Sequence, residues 1–471
     1  MAVETTGGAS GLDEQILERL RAGLRGDVIR PGDTQYDDAR AIYNAMIDKR
    51  PAVIARCVDA GDVIAAVNVG RDSGLEVAVM GGGHSGPGLG LADDGLTIDL
   101  SPMRWVRVDP EARTAQVGGG SQIGDLDHAA HAFGLGVPAG IYSQTGVGGL
   151  TLGGGHGYLT RKYGLTIDSL LAVDVVLADG SFVKASEQEN QDLFWAVRGG
   201  GGNFGIVTSF TYRLHPVHTV GVGISVWPIR QTPAVLGWYR EFLPQAPEDL
   251  YGFFAVLVVP PGPPFPAELH HQKVCGVVWC YTGELDNLEG VFAPVQQPGA
   301  SAFHFAAPMP YPMLQSMFDA LIPPGLQWYW RGDFFDQIPD EAIDVHLEYG
   351  SNNPTALSTM HLYPVDGAAH RVGADDTAWS YRDAVWSGVF GGIDPDPANA
   401  ERIKEWSVGY SDALHPYSMG GAYVNFMMEE GQERVRATYR GHYERLAQIK
   451  RQYDPSNLFH SNQNIKPASG T

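Results

Sequence analysis

The spacing of apolar residues predicts two helices and two strands near the start of the chain. One helix is predicted over 13–25 and a second over 60–73, which follows Asp59, a residue type that caps helix N-termini. The apolar positions at helical spacing in the first helix are Ile16, Leu17, Leu20 and Leu24. Strand-like segments over 52–56 and 76–80 flank the second helix. This alternation indicates an α+β fold.

Glycine residues separate short predicted strands in the part of the chain that follows, from about 75 to 215. Short strands are predicted there over 97–100, 105–109, 114–118, 172–177, 181–184 and 205–214. From about 216 the glycine clusters stop, and longer strands alternate with helices, with strands predicted over 252–259, 273–281 and 357–365. We interpret this second part as an antiparallel sheet covered by helices.

The chain has 471 residues, which is long for a single core and predicts two large units. The first unit is predicted over 1–215, with its core at about 48–217, and the second over 216–425. Helical spacing returns over 427–453 and stops at Asp454-Pro455-Ser456-Asn457. We therefore expect a third segment, 426–471, to return to the first unit.

The net charge of −22 argues against a nucleic-acid partner, because no run or stripe of basic residues offers a surface that could bind phosphates.

The three cysteines, Cys57, Cys275 and Cys280, form no CxxC pair, so buried thiols are expected and no metal site is predicted. No stretch approaches the roughly 20 apolar residues of a membrane helix, and residues 1–11 lack the apolar core of an export signal. We therefore expect a cytoplasmic protein with no membrane partner.

Two segments match the dinucleotide-binding pattern G-x-G-x-x-G, but neither has the context that the pattern requires. The segment 81–86 follows a predicted strand, yet Pro87 and Gly88 come next and cannot continue the helix that would face a pyrophosphate. The segment 200–205 leads into a predicted strand. A nicotinamide dehydrogenase is therefore disfavoured.

A glycine loop without a helix can still bind phosphate, since consecutive backbone N–H groups form a concave anion site. Three such segments, 81–85, 146–157 and 199–205, occur within about 125 residues, and together they favour a large phosphate-bearing cofactor. His84 lies inside the first segment. Taken alone, it is more simply a turn histidine bonded to a backbone carbonyl.

Four motifs in the same order along the chain carry a resemblance to a known family. They are Gly81-Gly82-Gly83-His84-Ser85, the run from Pro138-Ala139-Gly140 to Arg161-Lys162-Tyr163-Gly164, the run from Asp192-Leu193-Phe194-Trp195 to Gly205-Ile206-Val207-Thr208, and Tyr423-Val424-Asn425 followed by Asp454-Pro455-Ser456-Asn457 and Asn462-Gln463-Asn464. The sequence resembles the berberine bridge enzyme-like group of the vanillyl-alcohol oxidase superfamily, flavoproteins with a two-part, PCMH-type FAD-binding domain. The resemblance assigns FAD to 1–215, substrate to 216–425 and a berberine bridge-like segment to 426–471.

The resemblance implies FAD bound covalently from its 8α-methyl carbon to His84. A single link is expected, because Tyr142 stands where many members carry a second, cysteinyl link. Met80 stands where an arginine is frequent, which leaves more of the phosphate binding to backbone N–H groups. The expected cofactor-binding residues are His84, Gly81, Gly82, Gly83, Ser85, Tyr142, Thr145, Gly146, Gly148, Gly149, Leu150, Gly153, Gly155, Gly157, Gly205, Ile206, Val207, Asn462 and Asn464.

The resemblance also implies the catalytic residues. Tyr423 is expected to act as the base and Asn425 to lie near the flavin, on one face of a strand. Thr145 takes the position that lines the oxygen side of the flavin, where a bulky isoleucine tends to block O2, so an oxidase that releases H2O2 is expected. The predicted substrate residues are His361, Tyr363 and Tyr329, although aromatic residues at strand spacing are more often sheet packing.

The leading hypothesis is an FAD-linked oxidase that transfers a hydride from an alcohol, sugar or aromatic natural product to the flavin, with O2 as the second substrate. One alternative is a flavin-dependent oxygenating or cyclising enzyme of secondary metabolism. The other is a non-catalytic flavin-binding protein, since a fold does not fix a function.

Overall fold

A computed structural model describes residues 13–470 of the chain, so the polar segment 1–11 lies outside the described residues. The helices are α1 (Glu14–Gly23), α2 (Tyr36–Ala39), α3 (Ala60–Ser73), α4 (Ile123–His131), α5 (Val147–Leu152), α6 (Thr160–Tyr163), α7 (Gln191–Val197), α8 (Thr232–Phe242), α9 (Leu288–Phe292), α10 (Tyr311–Gln315), α11 (Asp340–Ser351), α12 (Ala400–Leu414), α13 (Gln432–Tyr439) and α14 (Tyr443–Tyr453). The strands are β1 (Val28–Ile29), β2 (Val53–Arg56), β3 (Val77–Met80), β4 (Leu96–Asp99), β5 (Val106–Asp109), β6 (Thr114–Gly118), β7 (Leu135–Gly136), β8 (Leu170–Val176), β9 (Phe182–Ser186), β10 (Ile206–Arg213), β11 (His215–Pro216), β12 (Thr219–Pro228), β13 (Leu250–Val258), β14 (Lys273–Tyr281), β15 (Phe303–Pro310), β16 (Gln327–Phe335), β17 (Thr359–Pro364) and β18 (Trp386–Asp394).

The first sheet has the strand order β1-β2-β4-β3. Strands β2 and β3 are both parallel to β4, and helix α3 makes the crossover from β2 to β3. The Asp59 side chain caps α3 by accepting from the N–H of Asp62, and Gly74 ends the helix in the left-handed conformation. These caps explain why the sequence predicts both ends of α3 correctly.

The second sheet is antiparallel, with the strand order β5-β6-β10-β8-β9. Its core is continuous with the C-terminal helices, which contribute buried residues such as Leu446. Lys450 on α14 is fully buried and donates from Nζ to Asp454 at 2.6 Å and to the Asn203 carbonyl at 2.6 Å. These bonds hold the C-terminal end of α14, near residue 454, against the third glycine segment, 199–205. That segment leads into β10.

The third sheet is also antiparallel and has the order β15-β12-β14-β13-β17-β18-β16. Side chains alternate between its two faces. Phe254 on β13 packs in a core with helices α8, α11 and α12. Its neighbour Phe253 packs on the opposite face with residues of the first part of the chain, such as Tyr158. The predicted antiparallel sheet covered by helices, and with it the α+β fold, is confirmed.

Two local predictions are wrong. The second glycine segment, 146–157, is not a helix-free loop, because α5 begins at Val147; burial of Val147 and Thr151, one turn apart, overrides the weak helix propensity of glycine. The helical stretch 427–453 is divided between α13 and α14. Arg440 breaks it with a positive φ of 45° while its guanidinium lies 3.6 Å over the ring of Tyr381.

Cys57, Cys275 and Cys280 are all buried, as expected. Among the described helices, none combines the length and the apolar character needed to traverse a bilayer. Within residues 13–470, no group of three or more histidine, cysteine or acidic side chains is placed to hold a metal ion.

Candidate active site

A cavity of about 370 Å³ lies between the three glycine segments and the inner face of the third sheet. Parts of all three segments line it, together with Phe459 and residues 461–463 from the C-terminal segment. Strands β16, β17 and β18 supply residues on the other side. A cavity of this size is typical of a small-molecule site.

The glycine segments approach one another so closely that larger residues would not fit. A Cβ atom on Gly82 would lie 2.4 Å from the Cα of Gly146, so the first two segments touch backbone to backbone. The N–H groups of Gly199 and Gly201 both donate to the carbonyl of Leu152, which joins the third segment to α5. The three segments are therefore parts of one binding wall.

Backbone donors in the first segment are left free. Among the described residues, the N–H groups of Gly82, Gly83 and His84 donate to no protein acceptor, and Gly83 adopts a positive φ of 66°. Consecutive unpaired N–H groups at such a bend suit an anionic group. The first segment thus offers backbone donors that suit an anionic group.

His84 lies on the cavity wall with its ring stacked on Tyr43, at 3.9 Å between ring centroids. Its Nε2 is buried and has no hydrogen-bond partner among the described residues. Burial lowers the pKa of His84 to about 4, so the imidazole is neutral at physiological pH. A neutral ring nitrogen is the form that can make a bond to carbon.

Tyr142 and Thr145 also line the cavity, close in sequence to the start of α5. The carbonyl of Thr145 accepts from the N–H of Ile123 at 2.9 Å, and its N–H donates to the carbonyl of Tyr142 at 3.3 Å. These bonds fix the backbone around Thr145. Burial raises the pKa of the Tyr142 phenol, which therefore stays protonated.

Tyr423 and Asn425 lie on the cavity wall, but not on a strand as expected. Residues Val424–Phe426 form one turn of 3-10 helix, which folds the Asn425 side chain back so that its Nδ2 donates to the Tyr423 hydroxyl oxygen at 2.8 Å. The N–H of Gly155 donates to the same oxygen at 3.1 Å. Burial raises the pKa of Tyr423 well above its usual value, and these two donors oppose that rise.

Two of the three predicted substrate residues face the cavity. His361 and Tyr363 share one face of β17, and the His361 Nδ1 lies 2.5 Å from the Tyr363 hydroxyl. Tyr329 is not on the wall, because side chains alternate along β16 and its neighbours Trp328 and Trp330 face the cavity instead. The structure therefore does not place Tyr329 with the other two residues, and its substrate role stays a prediction.

Fifteen of the predicted cofactor residues line the cavity, and Asn464 and three glycines do not. Gly153 packs behind the wall against Asn425, and Gly157 packs against the carbonyl of Ala139. Gly155 reaches the site only through its N–H bond to Tyr423. Asn464 lies off the wall, where its carbonyl accepts from Gln432.

His156 is a wall residue that the sequence reasoning missed. It lies within the second glycine segment, between Gly155 and Gly157. Its place inside a glycine segment, which His156 shares with His84, is the signal that could have found it. Trp328, Trp330 and Phe426 were missed as well, because residues distant in sequence meet at the wall.

The chain is similar to known proteins over nearly its whole length. A family model described as FAD binding domain matches residues 51–186, and one described as berberine and berberine like matches residues 422–466. The chain is 32% identical to an FAD-linked oxidoreductase of Dictyostelium discoideum, over 96% of this chain and 97% of that protein. It is 30% identical to (R)-6-hydroxynicotine oxidase of Paenarthrobacter nicotinovorans, over 94% of this chain and 97% of that protein.

Solved structures are similar over nearly the same length. The crystal structure of 6-hydroxy-D-nicotine oxidase from Arthrobacter nicotinovorans matches with a TM-score of 0.84 at 26% identity, covering 94% of this chain and 98% of that chain. A glucooligosaccharide oxidase from Acremonium strictum matches with a TM-score of 0.83 at 25% identity, covering 97% of this chain and 99% of that chain.

Proposed function

This chain belongs to the berberine bridge enzyme-like family of FAD-linked oxidases, and on that basis we propose that it oxidises an alcohol, a sugar or an aromatic natural product and passes the electrons to O2, which yields H2O2. One observation carries the proposal. The Tyr423 hydroxyl, held by Asn425 Nδ2 at 2.8 Å and the Gly155 N–H at 3.1 Å, lines the same cavity as His84.

FAD, when bound, supplies the acceptor for the hydride from the substrate carbon and returns two electrons to O2. The residues of the chain have to hold the substrate and take its hydroxyl proton as the carbonyl forms. Tyr423 takes that proton on its phenolic oxygen when it is in the phenolate form, and the two N–H donors stabilise the negative charge of that form. Asn425 is the positioning residue for Tyr423.

We further propose that FAD is bound covalently, through His84 alone. The buried, unpartnered Nε2 of His84 and its neutral ring support an imidazole that is free to bond to carbon. Tyr142 offers no thiol for a second link. The free N–H groups of Gly82 and Gly83 support phosphate binding beside the attachment point.

We propose that the predicted units bind different molecules. Segments 1–215 and 426–471 hold the cofactor and 216–425 the substrate. The glycine segments, which come from the first unit, and His361 and Tyr363, which come from the second, support this assignment because they line opposite sides of one cavity.

The experiment that tests the proposed function is anaerobic reduction followed by exposure to air. Substrate panels of neutral alcohols, sugars and amines are mixed with the holoenzyme, and loss of visible flavin absorbance reports hydride transfer. Air is then expected to restore the absorbance faster than it reoxidises free flavin, with one H2O2 formed per turnover. Reoxidation no faster than that of free flavin contradicts the oxidase, and isotope from labelled O2 in the product would support the oxygenating alternative instead.

Thr145→Ile is expected to slow reoxidation by O2 roughly tenfold, equivalent to about 1.4 kcal/mol in the barrier, while reduction by substrate keeps its rate. The added bulk at residue 145 narrows the cavity where we propose that O2 reaches the flavin. Stopped-flow mixing of the reduced protein with O2 measures the rate. Thr145→Val is the matched control, because it removes the hydroxyl at nearly constant volume; equal slowing by Val and Ile would contradict a steric role.

A further inference from the structure

Tyr43 is the aromatic neighbour of His84. The two rings are stacked, with centroids 3.9 Å apart and an interplanar angle of 22°. Tyr43 is buried, at 7% exposure, and is not one of the residues that line the cavity. It therefore contacts the proposed flavin anchor from behind the cavity wall.

Within residues 13–470, no hydrogen bond to another residue fixes the ring of His84. Its Nε2 is buried without a partner there, and the hydrogen-bonding contact of the ring is with the backbone of His84 itself. An imidazole without an external partner turns easily about its Cβ–Cγ bond. Stacking limits this rotation, because a turned ring would collide with the face of Tyr43.

Tyr43 itself is fixed by both parts of the chain. Its N–H donates to the carbonyl of Gly83, in the first glycine segment, at 2.9 Å. From the second part, the N–H of Gly325 donates to the Tyr43 carbonyl at 3.2 Å, and the Tyr43 hydroxyl donates to the carbonyl of Ile322 at 2.5 Å. Trp328 packs beside it, with ring centroids 5.4 Å apart. The ring of Tyr43 is therefore held in one orientation.

The plane of the His84 ring matters because the lone pair of an imidazole nitrogen lies in that plane. A bond to carbon forms along the lone pair, so a nitrogen reaches the 8α carbon of the flavin from only a narrow range of ring orientations. A misplacement of about 1 Å is enough to slow a reaction about 100-fold. A contact that holds the plane of the imidazole thus raises the rate of attachment.

We propose that Tyr43 is a positioning residue for the covalent flavin link, and that the face of its ring holds the His84 imidazole in the orientation from which a nitrogen bonds to carbon. This inference rests on the proposed link through His84. Tyr43 itself forms no bond to the flavin.

In the attachment step the lone pair of a ring nitrogen forms the N–C bond, one proton leaves the 8α carbon, and one leaves the imidazole. The two electrons released reach O2 through the flavin, and with the two protons they give H2O2. The imidazole carries a positive charge until its own proton leaves. The Tyr43 phenol stays protonated because burial raises its pKa, and its ring presents an electron-rich face that stabilises this charge.

Variants of Tyr43 test the role of its ring. Tyr43→Leu removes the aromatic face, and the rate of attachment is expected to fall about tenfold while total bound flavin is unchanged. Tyr43→Phe keeps the face and is expected to stay near the wild-type rate. Tyr163→Leu is the matched control, because Tyr163 also stacks on a histidine, His215, with centroids 4.2 Å apart and away from the cavity wall.

The measurement follows flavin in the full-length protein, purified at intervals after expression begins. Visible absorbance gives the total flavin, and the colour kept by an acid-precipitated pellet gives the covalent share. Neither value depends on turnover of a substrate. If Tyr43→Leu does not fold, Tyr43→Met supplies a second variant without a ring.

A slower gain of covalent flavin in Tyr43→Leu, at the wild-type level of total flavin, supports the positioning role. The wild-type rate in Tyr43→Leu overturns it, as does equal slowing in Tyr43→Phe or in Tyr163→Leu, or a loss of total flavin that matches the loss of covalent flavin. The His84 link stands in each of these cases. Wild-type protein that holds no covalent flavin contradicts the proposed link itself, and the role of Tyr43 with it.

Discussion

His84→Ala is expected to abolish covalent flavin completely. The wild-type protein, denatured and precipitated in acid, should keep its yellow colour in the pellet, whereas the variant should release all of it into the supernatant. The reason is structural as well as chemical. Among the described residues that line the cavity, none is a cysteine, so no thiol there can replace the His84 link.

The matched variant is Tyr142→Phe. It removes a phenol from the same wall and leaves His84 in place, so covalent flavin is expected to remain complete. Mass spectrometry of a proteolytic digest locates the link, which should fall on the peptide that contains residue 84. Colour retained in the His84→Ala pellet, or flavin mass on another peptide, would show that the link lies elsewhere.

Tyr423→Phe is expected to lower the rate of flavin reduction by about 10²–10⁴-fold, the usual contribution of a positioned general base. The phenylalanine keeps the ring among its aromatic neighbours and removes only the oxygen that accepts from Gly155 and Asn425. Anaerobic stopped-flow reduction measures the loss. Tyr410→Phe is the control, because Tyr410 is equally buried and lies outside the cavity.

The same residue predicts the pH dependence. Burial raises the pKa of Tyr423, so only a small fraction is phenolate at neutral pH. Below the pKa that fraction grows about tenfold for each pH unit, and the reduction rate of the wild-type protein is therefore expected to rise with pH from neutral into the alkaline range. A flat profile in the wild type, or the same slope in Tyr423→Phe, would remove Tyr423 as the base.

Much of the fold could be predicted because the relevant signals are local. Helix α3 carries its own cap at Asp59 and its own stop at Gly74, and the strands around the glycine segments are bounded by turn residues. The prediction fails at α5 for a tertiary reason. This helix forms because Val147 and Thr151 are buried by neighbours distant in sequence. The helix propensities of the residues in α5 do not include the effect of that burial.

For the candidate site, the sequence by itself determined the chemistry available at each segment: glycine runs at 81–85, 146–157 and 199–205, a histidine at 84, and the Tyr-x-Asn pair at 423–425. Only the tertiary structure decided which of these residues share a wall. It turned Trp328 and Trp330 inward and Tyr329 away, and it brought His156 beside Tyr423. The physical reason is that strand alternation leaves the choice of face open, and packing against segments distant in sequence, such as that of Trp330 against Gly86, makes that choice.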